Sequence, residues 1–533
     1  MGSIVSSLRS AGKTIGAVAK LLADLNRQYK ALLVRVNAAP GLPYPNPSTS
    51  YWLKDPPYPE LVDMKSEVLP GEADVVIIGS GITAAAVAKT LFSESISGGK
   101  GPRVVVLEAR RMCEGATGRN GGHIKASPHE FFPRHKKRLG GEGAARLTRF
   151  LLRTAEAVLE VGGEEGREAA ECRVVETVDF FLDQEGFEKV TKEVEDFKKW
   201  VPEFKIRALG AEDARREFGV GAHVVGALAY EAGALWPYRL VARLWRELLD
   251  DHGERLSLET GTGVEGIEEG EGGGFVVSTG RGKVKARHVV HATNAHASQF
   301  LPGLRGKMAG VKAHMTAQRP GDGFAWRDGK RSWSILYEGG GLFDYVSQRP
   351  NGDVMLGGGF GRSSGQGADM VGVYDDGCTE ALTVTHVAGV MQAVFGEAWE
   401  GHVTRVWSGI LGVTGDMAPF VGRVPGSVSG RGAKEVKRKA VKGKRVDDDD
   451  EDRWEGAAAG EWISAGYCGD GMVWAWLCGT ALGIMISGKE DVALAKDAGF
   501  PGGRLEEWFP KEILITEARV SKADMSNLVD ELV

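Results

Sequence analysis

The sequence predicts an α/β fold in two interleaved parts, one built on a parallel sheet of Rossmann type and one on an antiparallel sheet with helices (α+β). Three observations carry that prediction. An apolar run, Asp74-Val75-Val76-Ile77-Ile78, opens directly into Gly79-Ser80-Gly81-Ile82-Thr83-Ala84, which reads as a strand turning into a helix. A second apolar run, Val104-Val105-Val106-Leu107, closes on Glu108 and leads to another glycine-rich stretch at Gly115–Gly122. Finally, a charged, helically spaced block from about 160 to 225 and a strand-rich block from about 310 to 400 interrupt that first pattern. A chain of 533 residues is also too long for one simple core.

Residues 1–38 read as a basic amphipathic helix. Ile4, Leu8, Ala11, Ile15, Val18, Leu22, Leu25, Tyr29, Leu32 and Val36 recur at alternating four- and three-residue steps, close to a 3.5-residue period. Arg9, Lys13, Lys20, Arg27, Lys30 and Arg35 fall largely off that stripe, against one acid, Asp24. Such a helix suits docking on its own protein, an anionic membrane, a partner helix, or import as a mitochondrial presequence. Met1-Gly2-Ser3-Ile4-Val5-Ser6 adds the N-myristoylation pattern. Peripheral membrane contact of a cytoplasmic protein is therefore expected, with mitochondrial import as the alternative. Residues 39–69 form a connector in which Pro40, Pro43, Pro45, Pro47, Pro56, Pro57 and Pro59 exclude helix and central strand.

The segment 70–155 carries a nucleotide signature. Gly79 permits the tight turn out of the strand, Gly81 lets backbone N–H groups approach a pyrophosphate, and Ala84 is small enough for the helix to lie close on the sheet. That helix aims its positive end at the phosphates. Glu108 can accept from a ribose diol and repels a 2′-phosphate, so FAD or NAD fits better than NADP.

Glu108-Ala109-Arg110-Arg111 followed by Gly115-Ala116-Thr117-Gly118-Arg119-Asn120-Gly121-Gly122-His123 resembles the D-amino-acid oxidase superfamily of flavoproteins, in its glycine oxidase and sarcosine oxidase branch. Later segments resemble the same family in order: Ala227–Leu240, Thr262–Val264 with Ala286–Ala295, Thr414–Gly422, and Trp462–Met472. The resemblance implies FAD held by Gly79, Gly81, Ile82, Glu108, Ala109 and Arg110. It adds the loop Thr117, Gly118, Arg119, Asn120, Gly121, Gly122 and His123, then Val264, and Gly469, Asp470, Gly471 and Met472 at the flavin N1/O2 edge. It places His123 beside the ring as neighbour, catalytic base or attachment point, the flavin itself carrying the redox step. Three departures qualify what is implied. Relatives commonly carry His where Asp470 stands, and a carboxylate there opposes the charge of the reduced ring unless it turns to cap the helix. Gly409 falls where sarcosine-oxidase-like members hold a flavin-linked cysteine, so non-covalent FAD is expected. Around Val354–Gly358 no lysine stands where those enzymes place one to activate oxygen, which leaves the acceptor as oxygen or another molecule.

The implied division gives 70–155, 223–308 and 401–490 to the FAD-binding domain, 156–222 and 309–400 to the substrate domain, and 491–533 to a C-terminal tail. Within 427–460 a basic run precedes Asp447-Asp448-Asp449-Asp450-Glu451-Asp452, with too few apolar residues to offset ordering entropy, so a disordered insertion is expected. Met472–Ser487 is largely apolar but shorter than the roughly 20 residues a bilayer needs, and a buried helix accounts for it. A net charge of -6 gives no nucleic-acid signature. Cys113, Cys172, Cys378, Cys468 and Cys478 have no paired spacing and predict free thiols, and no Cys-x-x-Cys or His-x-x-His pair supports a metal. The expected activity is oxidation of the C–N bond of an amino acid or small amine. A flavin monooxygenase and a non-catalytic, membrane-associated flavin fold are the alternatives. Arg319, Tyr337, Tyr345, Arg349, Arg405 and Trp407 are candidate substrate anchors, an arginine suiting a carboxylate. Nothing in the sequence fixes an oligomeric state.

Overall fold

Two sheets organise the chain, and the computed structural model describes residues 2–98, 101–270, 273–337, 343–431 and 454–528 of it. In the first sheet, Leu256–Glu259, Val104–Leu107, Glu72–Ile78, Gly282–His291 and Gly460–Ala465 run parallel in that spatial order. Phe420–Arg423 closes one edge antiparallel, and the hairpin Val264–Glu269 and Phe275–Thr279 extends from Gly282–His291. Val75 to Ile78 and Val104 to Leu107 are continuously buried, as apolar strands are when both faces of a parallel sheet are covered.

The helix Ile82–Phe92 leaves the central strand and packs against Ala475–Ile486 at very short range. A Cβ on Gly479 would stand 2.7 Å from the Ala86 Cβ, and one on Gly483 2.7 Å from the Thr90 Cβ. All 12 residues of Ala475–Ile486 are buried, which makes it the core helix the sequence predicts. No helix among the described residues is long and apolar enough to cross a membrane.

The second sheet runs His402–Thr414, Met308–Arg319, Val354–Gly358, Phe343–Gln348, Arg331–Leu336, Arg173–Phe181, Gly226–Ala234 and the short His123–Ile124. Arg331–Leu336 pairs parallel with Arg173–Phe181, and the other neighbours pair antiparallel. The architecture is thus the predicted α/β pairing of a Rossmann-like sheet with an antiparallel one. Three strands sit elsewhere than the sequence division gives them. His123–Ile124, inside 70–155, Gly226–Ala234, inside 223–308, and His402–Thr414, inside 401–490, all join the second sheet. Apolar strands of this length read alike for either sheet, because their partners are distant in sequence. One face of the second sheet carries a cross-strand row in register: Leu228, Asp179, Ser334, Tyr345, Gly357, Met315 and Trp407.

The amino-terminal segment is one helix, Gly2–Asn37. Its end docks on the body, where Leu32 and Val36 meet Ala309, Val311 and Val371, and Arg35 donates to the Val371 carbonyl at 2.9 Å. The connector that follows is no free spacer. Trp52 lies 5.4 Å from the Trp236 ring, against which the Arg349 guanidinium stacks at 4.4 Å. The expected disordered insertion is narrower at both edges than 427–460. Gly426–Ser429 is a helical turn, Arg431 pairs with Glu461 at 2.7 Å, and Trp454 is buried. Its charged centre, 432–453, lies outside the described residues.

Candidate active site

A cleft opens at the C-terminal ends of Glu72–Ile78 and Val104–Leu107, where open α/β sheets bind their ligands. Gly79 adopts φ +101°, and a Cβ there would stand 2.9 Å from the Ala292 carbonyl oxygen. Gly81 is constrained differently. Its Cβ would stand 2.9 Å from Thr117 Oγ1, which accepts from the Ile82 N–H at 3.2 Å. The glycine-rich loop therefore meets the helix N-terminus directly. Glu108 accepts from the Ser80 N–H and hydroxyl at 3.1 and 2.7 Å and from the Arg110 N–H at 2.9 Å, which fixes its carboxylate in the cleft wall.

Of the sequence-predicted residues, Gly79, Gly81, Ile82, Glu108, Ala109, Arg110, Thr117, Asn120, Val264, Gly469, Gly471 and Met472 line this cleft. Arg110 does so as a clasp, donating to both Asp376 oxygens at 3.0 and 3.1 Å and to the Tyr44 carbonyl at 3.0 Å. Gly118, Arg119, Gly121, Gly122 and His123 stand behind the wall. Arg119 is buried and donates to the Ser48 and Ser408 carbonyls at 2.6 and 2.7 Å, and burial pulls its guanidinium down to about 10. A Cβ on Gly121 would stand 2.4 Å from the Tyr345 ring, and one on Gly122 2.3 Å from the Leu235 carbonyl oxygen. These two glycines pack closely against the second sheet and the 235 turn. Asn120 accepts from the Gly122 N–H at 2.7 Å and donates to the Thr117 carbonyl at 3.1 Å, holding the loop in shape.

Several cleft residues escape sequence reading. Gly41, Leu42 and Pro43 bring the connector to the cleft, where the Gly41 N–H donates to the Gln299 side-chain oxygen at 2.8 Å. Asp376 and Ile410–Gly412 arrive from the second sheet and its loops. Thr293 Oγ1 and His296 Nε2 in the same wall are buried without a hydrogen-bond partner, so the cleft offers polar groups to a ligand. A left-handed glycine turn, a helix N-terminus, a fixed carboxylate and unpaired polar atoms fit a flavin dinucleotide.

A polar cluster lies on the second sheet, around Asp179 and Ser334 of the cross-strand row. Lys125, two residues past the loop, pairs with buried Asp179 and donates to Ser334 Oγ at 2.6 Å. Tyr230 donates to Asp179 at 2.7 Å, and His129 Nε2 stands 3.1 Å from it. Burial alone would raise the Asp179 carboxyl, but Lys125 and His129 outweigh it and hold the group well below the usual range. His129, Glu130 and Asp179 bring ligand-type atoms within 4.8 Å of one another, and the Lys125 ammonium already supplies that cluster with a cation. Burial, with Lys125 adding repulsion, pushes His123 down to about 3, so its imidazole is neutral and a weak base.

Asp470 reaches open space here yet has protein on most sides. That desolvation, with repulsion from Glu130, lifts its carboxyl to about 7. It makes no side-chain capping bond to the turn Gly471–Val473, so the capping alternative for this residue is not taken. Among the expected substrate anchors, Arg319 pairs with Asp353 at 3.0 Å, and Arg349 pairs with Glu171 inside the tryptophan stack. Trp407 donates to the Arg119 carbonyl at 2.8 Å, and Tyr345 donates to Met315 Sδ. The sequence reading does not single out Lys125 or Asp179, which are brought together from segments distant in sequence.

Comparison with known proteins places this geometry in a family. Residues 74–483 match the FAD-dependent oxidoreductase family. No curated relative matches the sequence. Among solved structures, L-proline dehydrogenase from P. horikoshii superposes with a TM-score of 0.57 at 18% identity, covering 83% of this chain and 98% of that one. Glycine oxidase from Bacillus cereus gives 0.55 at 16%, covering 80% and 99%. L-amino acid deaminase from Proteus vulgaris gives 0.56 at 18%, covering 87% and 98%. At such identities the likeness is one of fold, and the family match over most of the chain gives the rest: this protein belongs to the FAD-dependent oxidoreductases and is an FAD-dependent enzyme.

Proposed function

We propose that the enzyme oxidises the C–N bond of an amino acid or small amine and passes the electrons to oxygen or another acceptor. The FAD, when bound, supplies two-electron acceptance beside the substrate nitrogen. The observation that carries the reading is the family match over residues 74–483 together with a cleft whose lining fits a flavin dinucleotide. Asp470 offers a carboxylate to a substrate ammonium. Above about pH 7 Asp470 is ionised and takes the proton that leaves the nitrogen lone pair free. The amino acids named for the proline, glycine and amino-acid-deaminating neighbours support the substrate class.

In this reading the cleft-lining residues contact FAD, Gly118, Arg119, Gly121 and Gly122 hold the wall, and neutral His123 is a ring neighbour. The FAD is bound without a covalent link. Gly409 has no thiol and faces the Arg119 Cβ, and the Cys468 thiol donates to the Gly466 carbonyl at 3.2 Å. Acid precipitation should leave the flavin in the supernatant. The deciding experiment is anaerobic mixing with secondary amines, D-amino acids and N-methyl amino acids. Bleaching of the flavin by at least one of these classes is expected, and bleaching by 2-hydroxy acids alone would overturn the reading.

A further inference from the structure

We propose that the amino-terminal helix pairs with the same helix of a second copy of this chain. The alternating four- and three-residue steps from Ile4 to Val36 are a heptad repeat, and the part from Ile4 to Tyr29 gives a seam of about four heptads, roughly 39 Å long. Among the described side chains of that stripe, the body covers those at its end. Leu32 and Val36 pack on the body, whereas Leu22, Leu25 and Tyr29, next along the same stripe, are 60%, 51% and 43% exposed. The continuous seam thus passes from a covered stretch to an uncovered one within a single helix, Gly2–Asn37.

The flanking positions say which occupant fits. Ser7, Thr14, Leu21 and Gln28 border the seam on one side, and Val5, Gly12, Ala19 and Asn26 on the other. With no charge there, two identical helices meet without repulsion, where paired helices of different sequence use these positions to select each other. Lys13, Lys20 and Arg27 occupy the heptad position opposite the seam. A helix lying on an anionic membrane carries its basic residues at the edge of the apolar face, where they reach the headgroups. Here they sit on the far side. The stripe, two positions in seven with Val5 and Leu21 beside it, also follows the narrow seam of a helix pair, while a surface-lying helix presents a broader face.

The test is sedimentation velocity of the full chain with its FAD, alone and with vesicles of phosphatidylcholine and phosphatidylserine. A dimer is expected for the wild type. Leu22→Lys with Leu25→Lys should raise the dissociation constant at least about 100-fold, with FAD content unchanged because neither leucine lines the cleft. Lys20→Glu with Arg27→Glu should leave the dimer intact. Leu25→Glu alone serves as a second seam variant if the double one fails to fold. A wild type that stays monomeric, with or without binding vesicles, overturns the proposal. So does a dimer that survives folded seam variants.

Discussion

Gly79 and Gly81 must be glycine for different reasons, and the difference is measurable. Gly79 combines φ +101° with a close carbonyl, so Gly79→Ala should cost about 1–3 kcal/mol of stability as well as FAD. Gly81→Asp should lose the yellow colour while retaining helix content, because the new side chain meets Thr117 and brings negative charge toward the pyrophosphate. Asp470 gives a pH test. Its carboxyl titrates near 7, so the rate of flavin reduction by an amine should rise with pH through that region, and Asp470→Asn should remove the rising limb. Single residues were legible where their job is local. Gly79 and Glu108 act within a strand and its turn, and their spacing announces them. Gly121, Gly122 and Arg119 do not, because what presses on them (Tyr345, the Leu235 carbonyl, Ser408) is remote in sequence.

At the scale of elements, the loop around Asp376 ties the second sheet to the first. Buried Asp376 receives Arg110 and stands 3.3 Å from Arg119 Nε, so Asp376→Ala removes the carboxylate the two guanidinium groups share and leaves Arg110 with Glu114 at 3.8 Å. A loss of about 3–5 kcal/mol is expected in denaturant unfolding, together with weaker FAD retention, since Asp376 also lines the cleft. Asp376→Asn should recover part of both. The connector makes the same point about legibility. Its prolines leave the short turns Tyr51–Leu53 and Pro59–Val62 as its regular structure, the second starting at a proline where the sequence reading excludes helix, and they carry no sign that Gly41–Pro43 wall the cleft or that Trp52 locks onto Trp236. The Ala475–Ile486 helix was legible because uniform apolarity with small residues leaves one solution, burial on all sides. Gly226–Ala234 was assigned to the wrong sheet because strand character is local and strand pairing is not.

Across the whole molecule, buried neutral histidines set the response to acid. Burial pushes His135 and His288 down to about 3, and the His288 ring accepts from Trp462 at 3.1 Å. A histidine depressed on folding stabilises the native state above its ordinary value of 6.5, and that contribution drains away as pH falls toward the folded value. Stability should therefore drop below pH 6.5 by up to about 1.4 kcal/mol per pH unit for each such group. His288→Gln should flatten the slope in denaturant unfolding measured between neutral and mildly acidic pH. On the same scale, the proposal is that the cleft at the first sheet holds an FAD that takes electrons from an amine. The most direct measurement is an anaerobic single turnover with an amine that bleaches the flavin, counting reduced FAD against the carbonyl compound recovered after hydrolysis. The account predicts one equivalent of each, with no nicotinamide required. Flavin reduction without a carbonyl product, or a hydroxylated product formed only with a nicotinamide donor, would contradict it.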